Sequence, residues 1–97
     1  MDKYNNMDWY GLTDAAITSE LGKRIKATRV KRNLSQAEVA ERSGISAFTI
    51  SQMENGKNTS LATLIAVMRV LKLLENFEDL IPEQMLSPVE LLQKSKK

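Results

Sequence analysis

The sequence predicts an all-α protein, a bundle of five main helices followed by a short helical tail. Three observations lead there. Apolar residues recur at three- and four-residue spacing over most of the chain. Ser35, Ser46, Ser60 and Ser87 each stand where a helix needs an N-cap. No stretch alternates as a strand would, and there are no internal repeats. With 97 residues and 42% hydrophobic content, the chain can build one modest core and is too short for two domains.

Residues 1–12, MDKYNNMDWYGL, lack a helical period and read as a poorly ordered arm whose concentrated aromatics are Trp9 and Tyr10. If ordered, the arm would lay those aromatics on a partner subunit. A first helix is predicted from about Thr13 to Asn33, with Ile17, Leu21, Ile25 and Thr28 on its buried face and Gly22 as a mild weakness. Asn33 tolerates the left-handed cap, and Leu34 drops into the core. Ser35 caps the second helix, with Glu38 completing a capping box. After the third helix, Asn55 and Gly56 stop the chain and Lys57-Asn58-Thr59 forms a polar loop. Ser60 opens a fourth helix with Leu61, Leu64, Ile65, Met68 and Leu71 on one face. A fifth runs from about Glu75 to Leu80 and is stopped by Pro82. Ser87-Pro88 opens a last short helix to about Lys94, and Ser95-Lys96-Lys97 should fray. The predicted organisation is an arm (1–12), a domain (13–81) and a tail (82–97).

The segment from Gln36 to Asn55, QAEVAERSGISAFTISQMEN, organises the rest. Two short amphipathic helices meet at Gly44, where the turn needs a positive φ that a Cβ would penalise. Ala40 is small where the two helices cross. Val39, Ile45, Ile50 and Met53 supply the wedge of core that sets the crossing angle, and Ser46 caps the second helix. This is the pattern of a helix-turn-helix, which can insert one helix into a DNA major groove. Burial of Ile50 and Met53 turns Ala47, Phe48, Ser51 and Gln52 the other way, with Ser46 at the tip. Gln52 can pair bidentately with adenine, and Ala47 and Phe48 suit thymine methyl groups. Phe48 also reads as a packing residue or a subunit contact. The phosphate-facing candidates are the N-terminus of the helix begun by Gln36, and the loop residues Lys57, Asn58 and Thr59.

The segment NLSQAEVAERSGISAFTISQMENGKNTSLATL resembles the Xre/Cro phage-repressor type of helix-turn-helix domain, with the likeness extending from about Thr13 to Leu71. The resemblance implies a lambda-repressor-like bundle and a pairing of Arg29 with Glu54 that is mainly architectural, although the guanidinium could share a phosphate. It departs from relatives with two glutamines at the start of the recognition helix, so their operators do not carry over. The tail LKLLENFEDLIPEQMLSPVELL is similar to small HipB-like antitoxins, which implies a HipA-like kinase toxin as partner.

Charge agrees with a polyanionic partner. The net charge of +2 hides an uneven distribution. Lys3 stands against Asp2, Asp8, Asp14 and Glu20 in residues 1–20. In residues 21–60, Lys23, Arg24, Lys26, Arg29, Lys31, Arg32, Arg42 and Lys57 face only Glu38, Glu41 and Glu54. The bland reading of the run Lys23–Arg32 is a solvated helix face. Absence of Cys and His removes disulfides, thiolate sites and the commonest base and metal ligand. No glycine loop could cradle a phosphate, and the pairs Glu38/Glu41 and Glu78/Asp79 fall on exposed faces, so no catalytic site and no cofactor are expected. With no secretory or bilayer-spanning segment, a cytoplasmic protein is expected.

The expected function is a sequence-specific DNA-binding transcriptional regulator, a repressor acting as a homodimer on a pseudo-palindromic operator. Leu74, Phe77, Leu80 and Ile81 are the candidate dimer contacts, since they exceed what the fourth helix can cover. An autoregulating antitoxin is the finer reading; a phage-type or restriction-modification controller would share the DNA mechanism. The alternative of another class is a helical protein-interaction module that binds no DNA.

Overall fold

The computed structural model describes residues 7–95, and every regular element among them is helical. The α-helices are α1 (Asp14–Lys31), α2 (Gln36–Ser43), α3 (Ala47–Glu54), α4 (Leu61–Val70), α5 (Phe77–Leu80) and α6 (Pro88–Ser95), with 3₁₀ turns at Trp9–Gly11 and Leu74–Asn76. The first six residues of the expected arm and the end at Lys96-Lys97 lie outside the described residues.

Each main helix starts on a hydroxyl. Thr13, Ser35, Ser46 and Ser60 accept from the backbone N–H groups of Ala16, Glu38, Thr49 and Thr63 at 3.0–3.1 Å, each satisfying a donor that the first turn leaves unpaired. At Ser35 the box closes, its N–H donating to Glu38 Oε1 at 2.8 Å. A second box forms in the tail, where the Ser87 N–H donates to Glu90 Oε1 at 2.8 Å and the Glu90 N–H to Ser87 Oγ at 3.2 Å. Three helices also stop alike. After α1, α3 and α4 the chain turns left-handed at Asn33, Gly56 and Lys72, and the next N–H returns to the carbonyl five residues back: Leu34 to Arg29, Lys57 to Gln52, Leu73 to Met68. Between α2 and α3 the turn falls on Gly44, at φ +77° with open space where a Cβ would be. Backbone conformation alone therefore asks for glycine there.

The core is the meeting of α1 to α4. Ile25, Val39, Ile50, Met53, Val67 and Leu71 are buried, and Leu34, Ala40, Ile45 and Leu64 pack against them. Full burial of such side chains contributes about 1.5–3 kcal/mol each. Two predicted faces hold at Ile25, Leu64 and Leu71 and are turned at Leu21 and Leu61. On α1, Leu21 is exposed while Gly22 is buried beside Ile25, because the C-terminal end of α3 rests on Gly22. A Cβ there would lie 2.5 Å from the Met53 carbonyl oxygen and 2.8 Å from that of Glu54. Far from weakening the helix, Gly22 is what lets α1 and α3 touch. On α4, the centre of the face is Val67, fully buried, while Leu61 is exposed. The helix reads LATLIAVMRV, apolar almost all round, so its period could not choose a side.

The arm also differs from expectation over its described part. Residues 9–11 form a 3₁₀ turn, and Trp9 packs on its own chain, with the Arg24 guanidinium 5.0 Å from the ring centroid. Arg24 in turn meets Glu20 at 3.0 Å. Tyr10 is fully exposed. Beyond α4 the predicted fifth helix is split into the 3₁₀ turn and the single turn of α5. Ile81, before Pro82, is extended at φ −134°, as proline demands of its predecessor.

Candidate nucleic-acid interface

Glu54 is the one buried charged residue among those described, and it assembles the site. Its carboxylate accepts from Arg29 Nε at 2.6 Å and Nη2 at 3.1 Å, and from Gln36 Nε2 at 3.0 Å. Arg29 Nη1 donates to the Leu34 carbonyl at 2.8 Å. One side chain at the end of α3 thus ties down α1, the α1–α2 connection and the first residue of α2. The side chains of Arg29 and Glu54 are only 11% and 2% exposed, and charge removed from water to that extent must be paired to persist. The hydrogen bond to Glu54 holds the Arg29 guanidinium protonated more firmly than usual, with burial opposing and the nearby negative charge adding to it.

This frame fixes α3 by its far end and leaves the near end in solvent. Ile50 and Met53 face the core. Ala47 and Phe48 are exposed, and Ser51 and Gln52 are half-buried on the side that Ile50 leaves free. Phe48 is 71% exposed, more than an internal packing residue would be. Ser46 is partly spent on its own helix, accepting from the Thr49 N–H and donating to Thr49 Oγ1 at 2.9 Å. Lys57, Asn58 and Thr59 follow α3 as an exposed loop leading into the Ser60 cap of α4.

The domain formed by these helices matches the family model described as helix-turn-helix over residues 25–75, more than half of the chain. The chain belongs to the helix-turn-helix family. It is therefore a DNA-binding transcription regulator and not a member of an enzyme family. No curated protein matches it. No helix among the described residues is long and apolar enough to cross a membrane.

Of the residues singled out in the sequence, Ala47, Phe48, Ser51 and Gln52 lie on α3 and Ser46 is its N-cap. The structure places Gln36 against Glu54, with its side chain committed there and only its helix N-terminus open. Arg29 has three of its N–H groups engaged. The bond from Gln36 to Glu54 was not foreseen. A signal existed: Glu54 follows Ile50 at four residues, on the buried stripe, and a carboxylate there needs donors from a neighbouring helix. The role of Gly22 left no such mark, since it depends on which helix lies across it.

Proposed function

We propose that this helix-turn-helix protein reads a specific duplex sequence through Ala47, Phe48, Ser51 and Gln52, with Ser46 at the tip of α3, and acts as a repressor. The observation that carries the reading is the Glu54 frame, which holds α3 from behind while Ala47 and Phe48 are exposed and Ser51 and Gln52 half-exposed beside them. Gln36 offers the first N–H groups of α2 to a phosphate, and Lys57, Asn58 and Thr59 clamp the strand on the other side of α3. Arg29 acts mainly through Glu54, with its remaining N–H groups within the same phosphate-facing corner. Residues 13–81 form the DNA-binding domain and 82–97 a tail with a separate task.

A single small module buries about 600–1,000 Å² on DNA, so two copies are proposed to read a pseudo-palindrome with recognition helices about 34–36 Å apart. Leu74, Phe77, Leu80 and Ile81 stand nearest the two-fold axis in this arrangement. The resemblance of the tail to HipB-like antitoxins supports autorepression and a HipA-like kinase partner, in the cytoplasm. Co-purification of a kinase encoded by the neighbouring reading frame checks that last step.

Selection from a random duplex pool supplies the operator for the main test. Gln52→Ala should weaken binding to the selected duplex by ~1–3 kcal/mol and hardly change binding to a scrambled one. Lys57→Ala should weaken both and make the salt dependence shallower by about one counterion. Equal losses on the two duplexes for Gln52→Ala would remove it from the reading face.

A further inference from the structure

α3 divides along its length by what its side chains offer a base edge. At the N-terminal end, Ser46 has its hydroxyl hydrogen committed to Thr49 Oγ1 at 2.9 Å and accepts the Thr49 N–H at 3.1 Å. Thr49 itself is half-buried. The fully exposed side chains there are Ala47 and Phe48, and neither has a polar atom. Ser51 and Gln52, which can donate and accept, come one turn later. Phe48 is neither in the core nor among the side chains packed against it. A lone exposed apolar residue needs no explanation elsewhere on a surface. This one stands on the helix that a helix-turn-helix protein lays in the major groove.

Chemistry selects what that ring meets. Among base edges in the major groove, the apolar feature is the C5 methyl of thymine; cytosine has a bare C5 beside its amino donor. A hydrocarbon surface gains from covering a methyl and gains nothing from a donor or acceptor, which loses water when covered without a partner. It therefore responds to whether C5 carries a methyl, and not to the hydrogen-bonding pattern next to it. 5-Methylcytosine carries the same group at the same place.

We propose that Phe48, flanked by Ala47, makes α3 a sensor of pyrimidine C5 methylation. A duplex with thymine or 5-methylcytosine under Phe48 is bound more tightly than the same duplex with uracil or cytosine there. The inference rests on the DNA reading proposed above and specifies the chemistry that one half of its reading face recognises. Methylation of a cytosine at that step raises occupancy, so modified and unmodified duplexes of one sequence are told apart.

Replacements in the selected duplex that change the methyl and leave every pairing group in place test it. Anisotropy titrations of the full chain compare thymine with deoxyuridine at each position in turn. At the most sensitive position they also compare cytosine with 5-methylcytosine. Loss of the methyl should weaken wild-type binding about three- to fivefold in both pairs, as expected for one methyl taken from water. Phe48→Ala should shrink the difference to less than about twofold, and Phe48→Leu should keep most of it. Circular dichroism confirms that both variants are folded. Gln52→Ala should weaken binding to both members of a pair by the same factor and leave the methyl difference intact. Wild-type protein that ignores deoxyuridine at every position overturns the proposal, as does a methyl difference that survives in Phe48→Ala. Unchanged duplex affinity with weakened dimerisation in Phe48→Ala would assign the ring to a subunit contact and overturn the methyl reading alone. A random pool that yields no preferred duplex would instead remove the sequence-reading regulator on which the inference rests.

Discussion

At the scale of single residues, the Arg29–Glu54 pair matters more than any other contact. Exposed ion pairs contribute little, but removing one member of a buried pair strands the other's charge and costs ~3–5 kcal/mol. Glu54→Ala should approach that range, because the carboxylate also serves Gln36 and the Arg29 side chain it leaves unpaired is largely buried. Arg29→Met with Glu54→Leu should recover part of the loss in thermal melts. Operator affinity should not recover in the double variant, since the tie between α3 and the N-terminus of α2 is gone. A single variant that melts like wild type would show the pair to be dispensable.

At the scale of elements, α3 is aimed by what lies behind it. Gly22→Ala should gain up to about 1 kcal/mol in helix propensity, yet its Cβ would sit 2.5 Å from a backbone oxygen of α3. Backbone cannot rotate aside as a side chain can, so the net effect is expected to be a loss of ~1–3 kcal/mol, read by denaturant unfolding. The start of α2 answers to acid. The Ser35 backbone N–H first, then the Ser35 hydroxyl, hold the Glu38 carboxyl below its ordinary value of 4.5. A depressed carboxyl stabilises the fold above the unfolded value and loses that contribution as pH falls through the folded one. Unfolding followed below pH 4.5 should therefore lose less stability in Glu38→Gln than in wild type. Equal pH slopes in the two proteins would show that the box adds no pH-linked stability.

At the scale of the whole molecule, a compact bundle carries an extended tail, within extents of 51 × 33 × 24 Å. Because residues 78–90 are exposed throughout, cutting the chain after Ile81 should leave the helical circular dichroism per folded residue and the melting temperature of the monomer nearly unchanged. The same cut keeps Leu74, Phe77, Leu80 and Ile81, the proposed dimer contacts, so dimerisation measured by light scattering across a dilution series should change by less than about tenfold. A truncated chain that became monomeric would move the interface into residues 82–97.

Local chemistry was legible in the sequence. Ser35, Ser46 and Ser60 announce helix starts, Asn33, Gly44 and Gly56 announce stops, and Ala40, Val39, Ile50 and Met53 describe the crossing of α2 and α3, because each of these depends on neighbours within a few residues. The Arg29–Glu54 pairing came from resemblance, not from spacing. What the tertiary structure decided is which side of each helix is inside and what lies across it. The period of α1 pointed to Leu21, but α3 lies over Gly22. The nearly uniform apolar surface of α4 gave Val67 no distinction until α2 was placed against it. The side chain of Gln36 carried no local mark of its bond to Glu54. These outcomes depend on residues from 18 positions apart (Gln36 and Glu54) to 32 positions apart (Gly22 and Glu54) meeting in space, and no local pattern of size, charge or period encodes that distance.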